Sequence, residues 1–190
     1  MRLRIREGLA AASAAAALLA APALAQHGPH VHGEGRLNLA AEKNEVEIEV
    51  TLPGADVVGF EHEAESPEDK KAVATALAKL KDGAALFRFP AAAGCKLEKA
   101  EADLAGMDGH AHNGHGHKEH AHQEGRKAEG GHGEFRAHYH FECATLSAAT
   151  HMDVGLFKAF PSLKQIEAAT VTANGQGAQA LTAAAARLKF

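Results

Sequence analysis

The sequence predicts an α+β fold of two similar halves, each an antiparallel sheet with a helix, related by a pseudo-twofold axis. Three observations predict it: strand-like segments that alternate with period two, one well-capped helix, and two short motifs that recur about a hundred residues apart. A histidine-rich segment between the halves is expected to be disordered. The predicted organisation is a signal peptide (1–25), an N-terminal α+β half (26–105), a His-rich flexible loop (106–133) and a C-terminal β-rich half (134–190).

The first 25 residues have the three-part layout of a secretory signal peptide. A basic start is followed by an apolar stretch from Ala10 to Ala20, and Ala23-Leu24-Ala25 is a small-x-small cleavage signature. A membrane anchor is the alternative, but the apolar run is shorter than the roughly 20 residues that span a bilayer. We therefore expect cleavage after Ala25 and an exported chain without a membrane segment.

The N-terminal half begins with two predicted strands and a helix. Arg36–Ala41 and Val46–Leu52 flank a turn, and the apolar residues of the second strand alternate with glutamates, so one face is buried and the other solvated. Ser66 is a good N-cap, Pro67 suits the first helical position, and Asp82-Gly83 ends the helix.

Further strands are predicted on both sides of the histidine-rich segment. Leu86–Phe89 and Lys96–Leu104 are expected to pair with each other across a turn at Ala91–Gly94. Later segments are a strand at Phe135–Ala144, a short helix or turn at Phe157–Leu163, and a closing hairpin of Ile166–Thr172 with Gln179–Leu188 across Asn174-Gly175. The C-terminal run is rich in alanine, so a helix there is the alternative.

Two echoes in the sequence support the prediction of related halves. The residues at 32–36 recur in similar form at 132–136, and those at 56–60 are echoed at 153–157. Each echo is short and could arise by chance, but both occur in the same order.

The chain has two cysteines, Cys95 and Cys143. An even count in an exported protein favours a disulfide, whereas two distant thiols make a poor structural zinc motif. We expect a Cys95–Cys143 bridge that ties both ends of the histidine-rich segment to the folded body.

Six of the 14 histidines fall within 13 residues. Spacings of two or three residues let neighbouring imidazoles bind one ion, and imidazole suits zinc, copper, nickel and cobalt. A solvated low-complexity linker is the alternative, but such linkers have no need of histidine. The segment is expected to bind several ions with fast exchange. These tract histidines are His110, His112, His115, His117, His120 and His122.

Five other histidines are candidates for a defined site on rigid elements. His30 with His32, and His138 with His140, are His-x-His pairs whose side chains would share one face of a strand. His62 precedes the predicted helix and could join them if the halves face each other. The alternatives are a polar outer strand face for His138 and His140, and an ordinary surface histidine for His62.

Composition and motifs argue against several function classes. The net charge of −4 becomes −6 once the first 25 residues, which carry +2, are removed, so nucleic acid is a poor partner. His62-Glu63 is followed by Ser66 where a zinc protease needs its second histidine, and Gly-x-Ser-x-Gly does not occur. An enzyme is therefore not expected, and a structural or adhesion module with incidental histidines remains as the other alternative.

The order of several motifs resembles the zinc-regulated periplasmic zinc-binding (ZrgA-like) proteins. The motifs are the leader His30-Val31-His32-Gly33, Gly59-Phe60-Glu61-His62, an internal His-rich segment and His138-Tyr139-His140-Phe141-Glu142-Cys143. The resemblance implies a periplasmic accessory to zinc uptake, with Zn²⁺ as its ligand and the substrate-binding protein of an ABC-type zinc importer as its partner. It also implies an α+β fold of two similar halves. A periplasmic metal buffer, or a chaperone for nickel, cobalt or copper, is the alternative.

Overall fold

The computed structural model describes residues 33–105 and 133–190, which form two β-sheets with four α-helices. Several sequence-based predictions fall outside these residues. They are the signal peptide at 1–25, the leader histidines His30 and His32, and the six tract histidines at 110, 112, 115, 117, 120 and 122.

The elements follow one another in the chain with short connections, except between Ala105 and Glu134. The strands are β1 (Glu34–Glu42), β2 (Glu45–Pro53), β3 (Phe87–Arg88), β4 (Cys95–Ala105), β5 (Glu134–Cys143), β6 (His151–Val154), β7 (Gln165–Thr172), β8 (Gly175–Thr182) and β9 (Arg187–Lys189). The helices are α1 (Gly54–Val58), α2 (Pro67–Lys81), α3 (Gly83–Leu86) and α4 (Leu156–Ala159), with short 3-10 turns at Ala91–Ala93 and Leu146–Ala148.

Six strands form the large sheet, in the order β4-β5-β2-β1-β7-β8, and β3-β6-β9 form a small one. Neighbours in the large sheet are antiparallel except for β1 and β7, which are parallel. The α+β class is therefore confirmed. The prediction of purely antiparallel sheets is wrong for one strand pair, β1 with β7.

The core lies on one face of the large sheet. Val46, Ile48 and Val50 are at most 2% exposed, while the glutamates between them face solvent, as the alternation predicted. The small sheet and α2 pack on this inner face, where the rings of Phe87 and Tyr139 meet edge to face at 4.8 Å. Each large apolar side chain buried there contributes about 1.5–3 kcal/mol.

Helix α2 begins and ends through specific polar contacts. The Ser66 hydroxyl accepts from the Asp69 N–H at 3.0 Å, and the Asp69 carboxylate accepts from the Ser66 N–H at 3.3 Å, which forms a capping box. At the other end the buried Tyr139 hydroxyl donates to the Leu80 carbonyl at 2.8 Å. That carbonyl belongs to the last helical turn, which lacks partners within the helix, so the bond joins α2 to β5.

Several predicted elements are confirmed with small changes of bounds. The β1–β2 hairpin turns at Lys43-Asn44, α2 starts at Pro67, and β7 pairs with β8 across residues 173 and 174. Strand β8 begins at Gly175, earlier than the predicted Gln179, because the tight turn allows pairing to start at once.

Three local predictions are wrong. Residues 86–89 and 96–104 do not pair with each other: β3 joins β6 in the small sheet, and β4 joins β5 in the large one. The predicted strand Gln179–Leu188 is divided by a turn, and its last part is β9, so a C-terminal helix is also wrong. Strand β6, only four residues long, was missed.

The two predicted halves share one sheet instead of forming a sheet each. Strand β5, which follows the histidine tract, lies between β4 and β2, which precede it. A pseudo-twofold relation is not confirmed. The first echo does mark similar positions, since Glu34 and Glu134 begin strands that run in the same direction on either side of β2. The second echo does not, because Asp56 lies in α1 and Asp153 in β6.

The predicted disulfide is present and joins facing residues of neighbouring strands. Cys95 begins β4, Cys143 ends β5, and their sulfur atoms are bonded across 48 positions of sequence. The bridge therefore holds the ends of β4 and β5 that lie away from the histidine tract.

In residues 33–105 and 133–190, no helix has the length and apolar character that a membrane span requires.

Replacing both cysteines (Cys95→Ala with Cys143→Ala) tests how much the bridge contributes. For a loop closed over 48 positions the chain-entropy model gives about 4 kcal/mol of stabilisation. We expect urea unfolding to show a fall of that order in the free energy of unfolding, with an unchanged far-UV circular dichroism spectrum below the transition. A fall under about 1 kcal/mol would show that strand pairing alone holds this end of the sheet.

Candidate metal centre

The outer face of the large sheet carries the His138–His140 pair. On β5, Ala137, Tyr139 and Phe141 point into the core, so the two histidines between them point outward. The prediction that they share one face is confirmed.

Cross-strand register places acidic residues beside both histidines. His140 faces Glu47 of β2 and Lys99 of β4, while His138 faces Glu49 and Glu101 on the same two strands. Directly opposite side chains on neighbouring strands lie about 5 Å apart at Cβ. The register therefore creates a carboxylate–imidazole cluster in the middle of an exposed sheet face.

The Glu47 carboxylate lies between the two rings. Its Oε1 is 2.5 Å from His140 Nδ1, and its Oε2 is 3.2 Å from His138 Nε2. An ionised carboxylate can only accept, so the His140 Nδ1 carries the hydrogen of this bond. The side chains are partly exposed, at 44% for His138, 27% for His140 and 40% for Glu47, so an ion can reach them from solvent.

One oxygen of this carboxylate is shielded and lacks a hydrogen bond. Within the described residues Glu47 Oε2 is buried and accepts none, although His138 Nε2 lies at ion-pair distance. The two facts are compatible because proximity does not guarantee the alignment that a hydrogen bond needs. A shielded oxygen without a donor has a lone pair available to a cation.

The hydrogen bond to Glu47 raises the pKa of His140 above its ordinary value. Burial opposes this rise, and the charges of Glu47, Glu45 and Glu98 add to it. The stabilisation from this pair is complete below the unfolded pKa of about 6.5 and is lost as the pH rises through the raised folded value. Protons therefore compete with any metal at His140 more strongly than at an ordinary histidine.

Glu47 is the acidic side chain that contacts both imidazole rings, and a neighbouring glutamate is paired with a lysine. Glu101 forms an ion pair with Lys99 at 2.9 Å.

Next to His138 a shallow cleft of about 430 Å³ runs along the outer face between β2, β5 and β4, and Asp103 and Arg136 line its far end.

His62 is not brought to this cluster. Its ring stacks on Phe60 with 4.7 Å between ring centroids, and its Nδ1 lies 2.9 Å from the Glu63 carbonyl oxygen. In the metal-free arrangement of residues 33–105 and 133–190, no three His, Cys, Asp or Glu side chains are positioned to hold an ion. Binding at the His138–His140 pair therefore requires side-chain movement.

The described residues that flank the histidine tract meet at one end of the large sheet. Ala105, the last residue of β4, pairs with Glu134, the first of β5. Gly133 accepts from the Gly54 N–H at 2.7 Å, and Gly33, which follows the leader histidines, donates to the Asp56 carboxylate at 2.6 Å. Along β5, His138 lies roughly 13 Å from Glu134.

Glu47 is the site residue that sequence reasoning missed. The alternation of β2 placed it correctly on the solvated face, together with Glu45 and Glu49. It could not be singled out from these two neighbours, because its contact depends on the β2–β5 register. A His-x-His pair facing a Glu-rich strand is the pattern that could have found it.

Neutralising Glu47 tests the electrostatics of the cluster. In the zinc-free protein we expect Glu47→Gln to lower the pKa of His140 toward its ordinary value, measured by NMR titration of the imidazole resonances. Glu45→Gln is the matched control, because Glu45 acts on His140 only through its charge and should lower the pKa less. Equal changes in the two variants would contradict the hydrogen bond as the main cause.

The sequence of this chain is similar to that of one protein family. Searched against individually curated proteins, the chain gives no match. Against protein families, residues 29–190 match the family described as "ZrgA family zinc uptake protein", which covers the whole described structure and the histidine tract. The resemblance seen in the sequence is thereby confirmed, and the chain belongs to the ZrgA family of zinc uptake proteins.

Proposed function

We propose that this protein is a periplasmic zinc-binding protein that captures Zn²⁺ and hands it to the substrate-binding protein of an ABC-type zinc importer. The observation that carries the proposal is the exposed His138–Glu47–His140 cluster, in a chain that belongs to a zinc uptake family. Imidazole nitrogen and carboxylate oxygen are both ordinary zinc ligands.

We assign different roles to the two groups of histidines. The tract histidines capture ions with moderate affinity and fast exchange, because many subsets of rings can bind. His138 and His140 form the defined site, because a strand fixed by neighbours on both sides holds their backbone positions. His30, His32 and His62 are further ligand candidates.

Chain length permits direct transfer between the tract and the pair. The 11 residue-to-residue steps from His122 to Gly133 can span at most about 40 Å, which exceeds the roughly 13 Å between Glu134 and His138. A tethered donor raises the effective concentration of zinc at the pair. The tract therefore supplies the strand site faster than free solution would.

The surroundings of the pair favour a divalent ion over a monovalent one. Glu45, Glu47, Glu49 and Glu101 all lie on this face, and their combined field attracts cations. Both cysteines are in the disulfide, so the chain offers no thiolate to Cu(I). A buffer for zinc or another divalent metal is the second candidate, and it differs only in lacking a handover partner.

Zinc titration of three full-length variants tests the assignment. Competition with a chelator should show one tight site that His138→Gln with His140→Gln weakens at least tenfold, the smallest loss expected when a metal site is disrupted. Replacing the six tract histidines by Gln should lower the number of bound ions and spare that site.

His151→Gln is the control, because His151 lies in the small sheet away from the pair. The defined site is wrong if the double variant binds zinc as tightly as the parent. Transfer to the purified substrate-binding protein of an importer, followed by mass spectrometry of the acceptor, separates delivery from buffering.

A further inference from the structure

We propose that Glu47 is the third protein ligand of the zinc ion, so that the defined site consists of Glu47, His138 and His140 with one exchangeable position. This inference rests on the proposed function and identifies the coordination of its site. It adds a carboxylate that neither the His-x-His motif nor the family description contains.

The ring nitrogens that converge are those that face Glu47. The two nitrogens of an imidazole point in different directions, so when His138 Nε2 and His140 Nδ1 face one carboxylate, the remaining nitrogens point away from it. An ion shared by both rings must therefore lie on the Glu47 side. There it replaces the hydrogen that His140 now shares with Glu47, and that proton leaves to solvent.

The distance from each ring to the nearest oxygen of Glu47 is close to the separation of two zinc ligands. With zinc–ligand distances near 2.1 Å, two ligands of a tetrahedral ion lie about 3.4 Å apart. His138 Nε2 and Glu47 Oε2 are already 3.2 Å apart, while His140 Nδ1 and Glu47 Oε1 must separate from 2.5 Å. A movement on the order of 1 Å is within reach of side chains that are more than a quarter exposed.

The shielded oxygen of Glu47 is the feature that points to a cation. Glu47 Oε2 is buried and accepts no hydrogen bond from the described part of the chain, although it lies beside a histidine nitrogen. Buried carboxylate oxygens normally have a donor or a metal. A zinc ion between Glu47 and the two rings would satisfy this oxygen.

The other acidic residues of the face fit this role less well. Glu101 is held by Lys99 at 2.9 Å, and Glu49, although opposite His138 in register, is exposed and forms no ion pair with it in the described residues. The proposed site therefore has three protein ligands, which leaves the fourth position of a tetrahedral ion to an exchangeable ligand. An exchangeable fourth ligand suits a site that receives an ion from one donor and releases it to another.

The test compares Glu47→Gln with Glu49→Gln, which lies on the same strand and face. Both are made in the full-length chain with the six tract histidines replaced by Gln, so that the defined site is observed alone. Loss of a residue that only orients a ligand typically costs about 10- to 100-fold in metal affinity, so we expect Glu47→Gln to weaken zinc binding by at least that much and Glu49→Gln to change it less than about threefold. Circular dichroism and thermal unfolding without zinc confirm that both variants fold.

Cobalt substitution separates a ligand from a residue that only orients the rings. The visible absorption of the Co²⁺ protein depends on its coordinating atoms, so Glu47→Gln should change the spectrum and Glu49→Gln should not. X-ray absorption of the zinc protein should show two imidazoles in both variants and lose one oxygen from the protein only in Glu47→Gln.

Three results would overturn the proposal. They are unchanged zinc affinity in Glu47→Gln, reduced affinity with an unchanged Co²⁺ spectrum, or a first coordination shell that is the same in both variants. Failure of the proposed function looks different, because His138→Gln would then also leave zinc affinity unchanged. Loss of affinity in His138→Gln but not in Glu47→Gln would reject only the third ligand.

Discussion

The pairing of β5 with β2 on one side and β4 on the other is the constraint on which the rest of the structure depends. This strand supplies Phe135, Tyr139 and Phe141 to the core, and the Tyr139 hydroxyl fixes the end of α2. Because side chains alternate along a strand, the packing that buries these rings also turns His138 and His140 outward. Core packing therefore fixes the direction of the histidines, and the register with β2 places a carboxylate between them.

In the candidate site Glu47 contacts both imidazole rings, although in the described residues the three side chains are not positioned to enclose an ion. Glu47 interacts with both rings and limits their rotation, which lowers the entropy lost when an ion binds. The same contact raises the pKa of His140, so this ring holds its proton more strongly than an ordinary histidine does. The position of the two rings and the raised pKa of His140 thus both depend on one carboxylate.

Local sequence patterns predicted those elements whose determinants are local. The Ser66-Pro67 signal located the start of α2, and the alternation of valine and isoleucine with glutamate identified both faces of β2. Partner choice was not predictable in the same way. Strand β4 pairs with β5 and not with β3, and β1 lies parallel to β7, because these pairings depend on which apolar faces meet in the finished core. The histidine pair was visible in the sequence, whereas Glu47 required the register.

The long histidine tract joins two strands that are direct neighbours in the sheet, and the disulfide fastens the opposite ends of those strands. The register of these two strands is therefore fixed by their own pairing and by the disulfide. Doubling the length of a flexible connection between two paired strands costs only about 0.6 kcal/mol of closure entropy. Insertions or deletions between Ala105 and Glu134 are therefore expected to have little effect on the stability of the sheet. Under the proposed function, the number of histidines between these strands can then evolve separately from the His138–His140 pair.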